Sequence, residues 1–191
     1  MEFMKQTQLQ DAAVLAPLIE KDGELHLLFE VRDSSISQGG DVSFPGGRME
    51  DGEDGALAAI RETAEELLVS EDQVELLAPL FQFTGPGGRR IFSYMGLLHD
   101  YRYTYSSDEV ARVFTVPLSY FLENEPLITT TVEHIRVAED FPIELVAGGK
   151  NYHWRTTERQ VYFYQVQGEV IWGMTAELLH AMAERMKKEN I

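Results

Sequence analysis

Glu62, Glu65 and Glu66 are spaced so that a helix gathers them on one face, because residues three and four apart are helical neighbours. Left alone, like charges at these spacings each cost a few tenths of a kcal/mol. A divalent cation reverses that sign. Side chains at i and i+4 start roughly 5–6 Å apart at Cβ, and oxygens bound to one Mg²⁺ lie about 2.0–2.1 Å from it, so long glutamate side chains can converge on a single ion. Arg61 precedes the three acids, and Gly46-Gly47 lies upstream of them.

The stretch that must position these residues runs from Phe44 to Val69. Pro45 holds Phe44 extended, and Gly46 and Gly47 permit torsions closed to other residues, turning carbonyls toward a cation. Met49–Asp54 adds a carboxylate-rich loop, and a helix follows, with Leu57, Ile60, Ala64, Leu67 and Leu68 as its expected buried stripe.

Upstream, Ala12–Glu20 and Glu24–Arg32 read as strands joined by a Lys21-Asp22-Gly23 turn, with Pro17 placing the first at an edge or a bulge. In the second, Leu25, Leu27, Phe29 and Val31 alternate with His26, Leu28, Glu30 and Arg32. His26 reads as structural or exposed, and Ser34–Gly40 as a polar loop leading to a short strand, Val42–Phe44. Downstream, Val74–Thr84 and Ile91–Leu98 read as strands around Gly85–Arg90, a turn carrying Arg89 and Arg90. Tyr101, Tyr103 and Tyr105 alternate with polar residues, as on a strand face or an aromatic surface for a ligand or a second copy, which leaves a homodimer open. Val113–Leu118 then leads into a short helix at Ser119–Asn124. Thr129–Arg136, Asn151–Arg155 and Val161–Gln167 read as strands, with Phe141–Lys150 a surface loop. A final helix is expected to be capped by Thr175 and to bury Leu178, Leu179, Met182 and Met186.

At 191 residues, 44% hydrophobic and 25% charged, the chain suits a single domain with a full core. There is no cysteine, so disulfides and cysteine-ligated zinc are excluded. No signal-peptide pattern stands at Met1–Gln10 and no apolar run is long enough to span a bilayer, so a cytoplasmic location and no membrane partner are expected. A net charge of −16 argues against a nucleic-acid partner. It also repels anionic small molecules, so an anionic substrate requires bound cations and local arginines to invert the potential. The alternation of strands and helices around the acidic helix fits an α/β sandwich built on a mixed sheet.

Gly47, Glu53, Arg61, Glu62, Glu65, Glu66 and Val69 match G-x5-E-x7-R-E-U-x-E-E-x-G-U, where U is bulky and apolar. This resembles the Nudix box. Two positions depart from it: Thr63 replaces a bulky apolar residue, and Leu68 replaces the glycine near the helix end, which implies a helix stop without a left-handed glycine. The resemblance implies a Nudix-type α/β/α sandwich and hydrolysis of a nucleoside diphosphate linked to another group, dependent on Mg²⁺ or Mn²⁺. It implies Gly47 (through its carbonyl), Glu62, Glu65 and Glu66 as metal ligands. Glu62 or Glu66 is then the general base, with Glu53 paired to Arg61 behind them. Glu109 is either a further base or ligand or a loop cap.

Outside the box, Leu28, Arg32, Gly40 and Phe44-Pro45-Gly46-Gly47 resemble L-L-T-x-R-[SA]-x3-R-x3-G-x3-F-P-G-G of the coenzyme A pyrophosphatase branch. Asp33 stands at the small-residue position, the spacing is one residue short, and Ser37 or Gln38 stands near the missing internal arginine. Asp108-Glu109-Val110, Val116-Pro117-Leu118, Tyr152–Arg155, Val161–Tyr164 and Ile171–Ala176 are also similar to bacterial members of that branch. That resemblance implies cleavage of a CoA-like nucleotide to 3′,5′-ADP and 4′-phosphopantetheine. Arg32, Arg48, Arg89 and Arg90 are the candidates for its phosphates. The alternatives are a Nudix hydrolase of ADP-ribose, dinucleotides or nucleoside triphosphates, or a Nudix-fold binding module without turnover.

Overall fold

The computed structural model describes residues 10–85 and 88–189. Its main sheet has seven strands: β1 (Ala12–Lys21), β2 (Glu24–Arg32), β3 (Val42–Ser43), β4 (Gly46–Arg48), β5 (Val74–Thr84), β6 (Arg90–Leu98) and β7 (Val110–Pro117). The sheet is mixed, since β1 runs parallel to β6 while the other pairs are antiparallel. A three-stranded antiparallel sheet follows, β8 (Leu127–Glu133), β9 (Thr157–Val166) and β10 (Glu169–Trp172), with β9 in the middle. The helices are α1 (Gly55–Leu67), α2 (Leu118–Glu123) and α3 (Gly173–Glu189). Among the described residues no helix is long and apolar enough to cross a membrane.

Side-chain alternation along β1 and β2 explains the layering, since successive residues point to opposite faces of a sheet. Ala13, Leu15, Ile19 and Leu28 meet Ala58, Ala59 and Leu67 of α1 on one face. Ala16, Leu18, Leu27, Phe29 and Val31 meet Phe121 of α2, Leu178, Leu179 and Met182 of α3, and Tyr164 of β9 on the other. The result is an α/β/α sandwich.

The feature that builds the site is a fork between β1 and β2. The two strands pair only near their shared turn, from Leu18↔Leu27 to Lys21↔Glu24. Beyond it they separate. The Val42–Arg48 segment fills the gap, with β3 on β2 (Glu30↔Ser43) and β4 on β1 (Ala13↔Gly47). Pro17 therefore lies within a central strand, not at an edge. The Leu15 N–H reaches the Pro45 carbonyl at 3.0 Å on the β4 side, so position 17, two residues on, aims at the same side, where the strands part and a missing N–H leaves no ladder bond unmade.

Several local expectations are corrected. Gly46 and Gly47, expected only to turn their carbonyls inward, begin a strand, Gly46–Arg48. Asn151–Arg155 is no strand; a 3-10 turn occupies Gly149–Asn151, and β9 starts only at Thr157. The Tyr101–Tyr105 alternation is a loop, broken by Tyr103 at φ 58°. Thr175 sits inside α3 and donates its hydroxyl to the Val42 carbonyl at 3.2 Å, so it ties the helix to β3 rather than capping it. His26, read as structural or exposed, takes the first of these, buried with Glu24 at 3.5 Å. The turn read at Gly85–Arg90 includes Pro86 and Gly87, which lie outside the described residues.

Candidate active site at the strand fork

Helix α1 starts where Asp54, in extended conformation, accepts a hydrogen bond from Ala56 N–H at 2.8 Å, an N-cap. Its buried residues include Ala58, Ala59, Thr63, Ala64, Glu66 and Leu67. That face is turned by about one residue from the expected stripe, or about 100°. Leu57 and Leu68 are accordingly 61% and 59% exposed. Small residues let the helix lie close to β1, and the turn carries Glu66 into the interior while leaving Glu65 in solvent.

At its other end the helix stops at Leu68, which takes the left-handed conformation itself (φ 52°, ψ 49°) and sends its N–H to the Ala64 carbonyl. The tyrosine loop completes this end: Ser106 N–H donates to the Glu66 carbonyl at 2.7 Å and the Thr104 hydroxyl to the Leu67 carbonyl at 2.6 Å. These bonds satisfy carbonyls that a helix terminus otherwise leaves open.

The carboxylates meet the fork here. Glu66 is buried and its Oε2 accepts the Gly46 N–H at 2.7 Å. Gly47 lies against Glu62 so closely that a Cβ there would stand 2.1 Å from Glu62 Oε2. Arg61 locks the approach. Its Nε and Nη2 grip Glu53 at 2.9 and 3.0 Å, Nη2 also donates to the Arg48 carbonyl at 3.0 Å, and Nη1 reaches Glu62 at 2.8 Å and Glu65 at 3.3 Å. Glu53 in turn accepts the Glu50 N–H at 2.7 Å, which ties the acidic loop to the helix.

Sequence spacing did not reveal Glu30. On β2 it shares the α1 face with Leu28, is fully buried, and takes the Ser43 hydroxyl on Oε1 at 3.0 Å, while Oε2 has no partner. The available signal was a lone carboxylate inside Leu27-Leu28-Phe29-Glu30-Val31. Burial raises the pKa of Glu30, and Ser43 and the Arg32 charge only partly offset it. Glu66 is raised too, first by burial and then by the Glu30 charge, with the Gly46 N–H opposing. Glu62 is raised by burial against the Arg61 hydrogen bond. Glu53, by contrast, is held below the usual carboxylate range by Arg61.

The residues fit a hard divalent cation. Two buried carboxyls and one half-buried one lie against the β3–β4 segment, an oxygen of one is orphaned, and the Arg61 guanidinium is already held by Glu53. Oxygen-rich sets of this kind suit Mg²⁺ or Mn²⁺. Glu65 stands apart, exposed and drawn to Arg61. Among the described residues no three acidic or histidine groups, Glu30, Glu62 and Glu66 included, already converge on one point, so a cation would have to draw them together.

The four candidate arginines do not form one cluster. Arg32 ends β2 at the fork, where Nε donates to the Ser37 carbonyl at 3.1 Å. Arg48 ends β4 with its side chain exposed. Arg89 and Arg90 lie across β1, at the start of β6. There Arg90 is paired with Asp11 and packed over Phe92 at 5.6 Å, and Arg89 is half-buried. Glu109 is exposed, its carbonyl accepts the Asp33 N–H at 2.8 Å, and its charge raises Glu30, Glu62 and Glu66.

Residues 9–125 match the NUDIX domain family. An uncharacterized Nudix hydrolase, NudL, of Photorhabdus laumondii is 31% identical over 92% of this chain and 84% of its own length. The peroxisomal coenzyme A diphosphatase NUDT7 of Mus musculus is 35% identical, but over 58% of this chain and 48% of its own. Among solved structures, a MutT/nudix family protein from Enterococcus faecalis superimposes with a TM-score of 0.57 at 14% identity, over 98% of this chain and 66% of that one. The acidic helix, the Gly46-Gly47 strand that fills the fork and these similarities agree, and the chain belongs to the Nudix hydrolase family.

Proposed function

We propose that the chain hydrolyses the phosphoanhydride of coenzyme A or a CoA derivative with Mg²⁺ or Mn²⁺, giving 3′,5′-ADP and 4′-phosphopantetheine. The observation that carries the hydrolytic reading is Glu66, buried against the Gly46 N–H with Glu62 packed on Gly47. Support for CoA comes from the Leu28, Arg32, Gly40 and Phe44–Gly47 pattern and from the similarity to the mouse coenzyme A diphosphatase.

The residues that would hold the cation are Glu62, Glu66 and the Gly47 carbonyl, with Glu65 swinging in from solvent. When bound, such a cation neutralises diphosphate oxygens and lowers the pKa of a water. Arg61 and Glu53 position Glu62 and the loop, and Glu62 or Glu66 takes the proton from the attacking water. Water adds to one phosphorus, the anhydride P–O bond breaks, and two phosphate monoesters leave. Arg32 and Arg48, which border the fork, and Arg89 and Arg90 are the candidates for the phosphates, the 3′-phosphate included, Arg90 only after leaving Asp11.

Steady-state rates for CoA, ADP-ribose, diadenosine polyphosphates and nucleoside triphosphates test the assignment. CoA is expected to show the highest kcat/KM, and a tenfold preference for ADP-ribose would overturn it.

A further inference from the structure

Glu30 lies outside the box, yet no carboxylate in the site is more enclosed. It is fully buried, and its Oε1 is held by Ser43 while its Oε2 meets no donor among the described residues except a proton shared with Glu66. Strand alternation aims it at α1, where Glu66 is pinned by the Gly46 N–H. Burying a carboxylate with an unsatisfied oxygen beside a second carboxylate is strongly unfavourable, and such groups persist when something paired with them restores the balance. Among the described residues no lysine or arginine donates to either carboxyl; Arg32, whose charge acts on Glu30, spends its Nε on the Ser37 carbonyl.

From this geometry we propose that Glu30 is a ligand of the same divalent cation as Glu66, closing the inner wall of the site from the β-sheet side. The inference rests on the divalent-cation reading above. It predicts a trade: the carboxylate destabilises the empty fold and tightens the loaded one. A buried carboxylate that does not meet the cation still destabilises the empty fold but leaves the affinity unchanged, so the affinity decides.

The test uses the 191-residue chain and Mn²⁺ alone, with calorimetric binding and the melting temperature in chelator as readouts. Glu30→Gln keeps the shape and the Ser43 contact. The expected result is at least about a tenfold weaker Mn²⁺ affinity together with a higher melting temperature in chelator. Ser43→Ala, which frees Glu30 without removing its charge, is expected to leave Mn²⁺ affinity within about threefold. Unchanged affinity in Glu30→Gln, with binding abolished in Glu66→Gln, overturns the role of Glu30 and leaves the hydrolase reading standing. If the wild-type chain takes up no Mn²⁺, both readings fall.

Discussion

Arg61 grips Glu53 with one edge of its guanidinium, Nε to Oε1 at 2.9 Å and Nη2 to Oε2 at 3.0 Å, and turns its other N–H groups to Glu62, Glu65 and the Arg48 carbonyl. A planar fork can serve these partners together; a lysine ammonium, a single point of charge, cannot. Arg61→Lys is therefore expected to keep the fold but lower turnover and Mn²⁺ affinity by about 10–100-fold, as loss of a supporting hydrogen-bond partner does at metal sites. Calorimetry beside a kinetic assay checks it; wild-type affinity would show that Glu62 needs no such anchor.

Gly47 presents a steric case. A Cβ there would meet Glu62 Oε2 at 2.1 Å, and the obstacle is the mobile end of a side chain rather than backbone. Gly47→Ala is expected to push the carboxylate aside at little cost to stability, leaving the melting temperature within about 2–4 °C, which for a chain this long corresponds to about 1 kcal/mol. Turnover should fall by at least about tenfold, because displaced catalytic groups cost rate steeply. A melting curve and a kcat measured on the same preparation separate the two effects.

Leu68 holds a left-handed backbone at 59% exposure. For an L-residue this conformation costs about 1–2 kcal/mol, and little burial offsets it. Glycine removes the strain but adds freedom to the unfolded chain. Leu68→Gly is expected to stabilise by about 0.5–1 kcal/mol with kcat unchanged, read from denaturant midpoints. A lower midpoint would mean that Leu68 makes contacts worth more than its strain.

The raised carboxyls give the metal-free protein a characteristic pH dependence. Burial raises the pKa values of Glu30, Glu62 and Glu66, so in the folded state each gives up its proton at higher pH than in the unfolded chain. Their contribution is fully present below the ordinary carboxylate range and is lost as pH rises through the higher folded pKa values, because the folded state then binds more protons than the unfolded. In chelator, stability should decline from about pH 5 toward mildly alkaline pH, and the slope should flatten in Glu66→Gln. Denaturant titrations across pH check it; a flat wild-type profile would contradict the burial of these acids.

How far the sequence led depended on whether the signal was local. Val74–Thr84 was read with the bounds it has as β5, since its ends are marked by turns. The acids of α1 were legible from spacing, but the rotation of the helix was not: Leu57 and Leu68 look like core until the close approach through Ala58 and Ala59 is known. Pro17 suggested an edge because nothing nearby announces that β1 and β2 part beside it. Tyr101, Tyr103 and Tyr105 copy a strand period, yet their loop is shaped by the open carbonyls of Glu66 and Leu67, which are distant in sequence. Glu30 was hidden for the same reason, because its partners Ser43 and Glu66 arrive only through the fold.

The central claim is that the acids at the strand fork serve hydrolysis. Its most direct test is the release of 3′,5′-ADP from CoA in saturating Mg²⁺, wild type beside Glu66→Gln. The expected result is steady turnover by the wild type and a loss of at least about a hundredfold in the variant. Equal release by the two proteins, or none by either with any diphosphate offered, would contradict it.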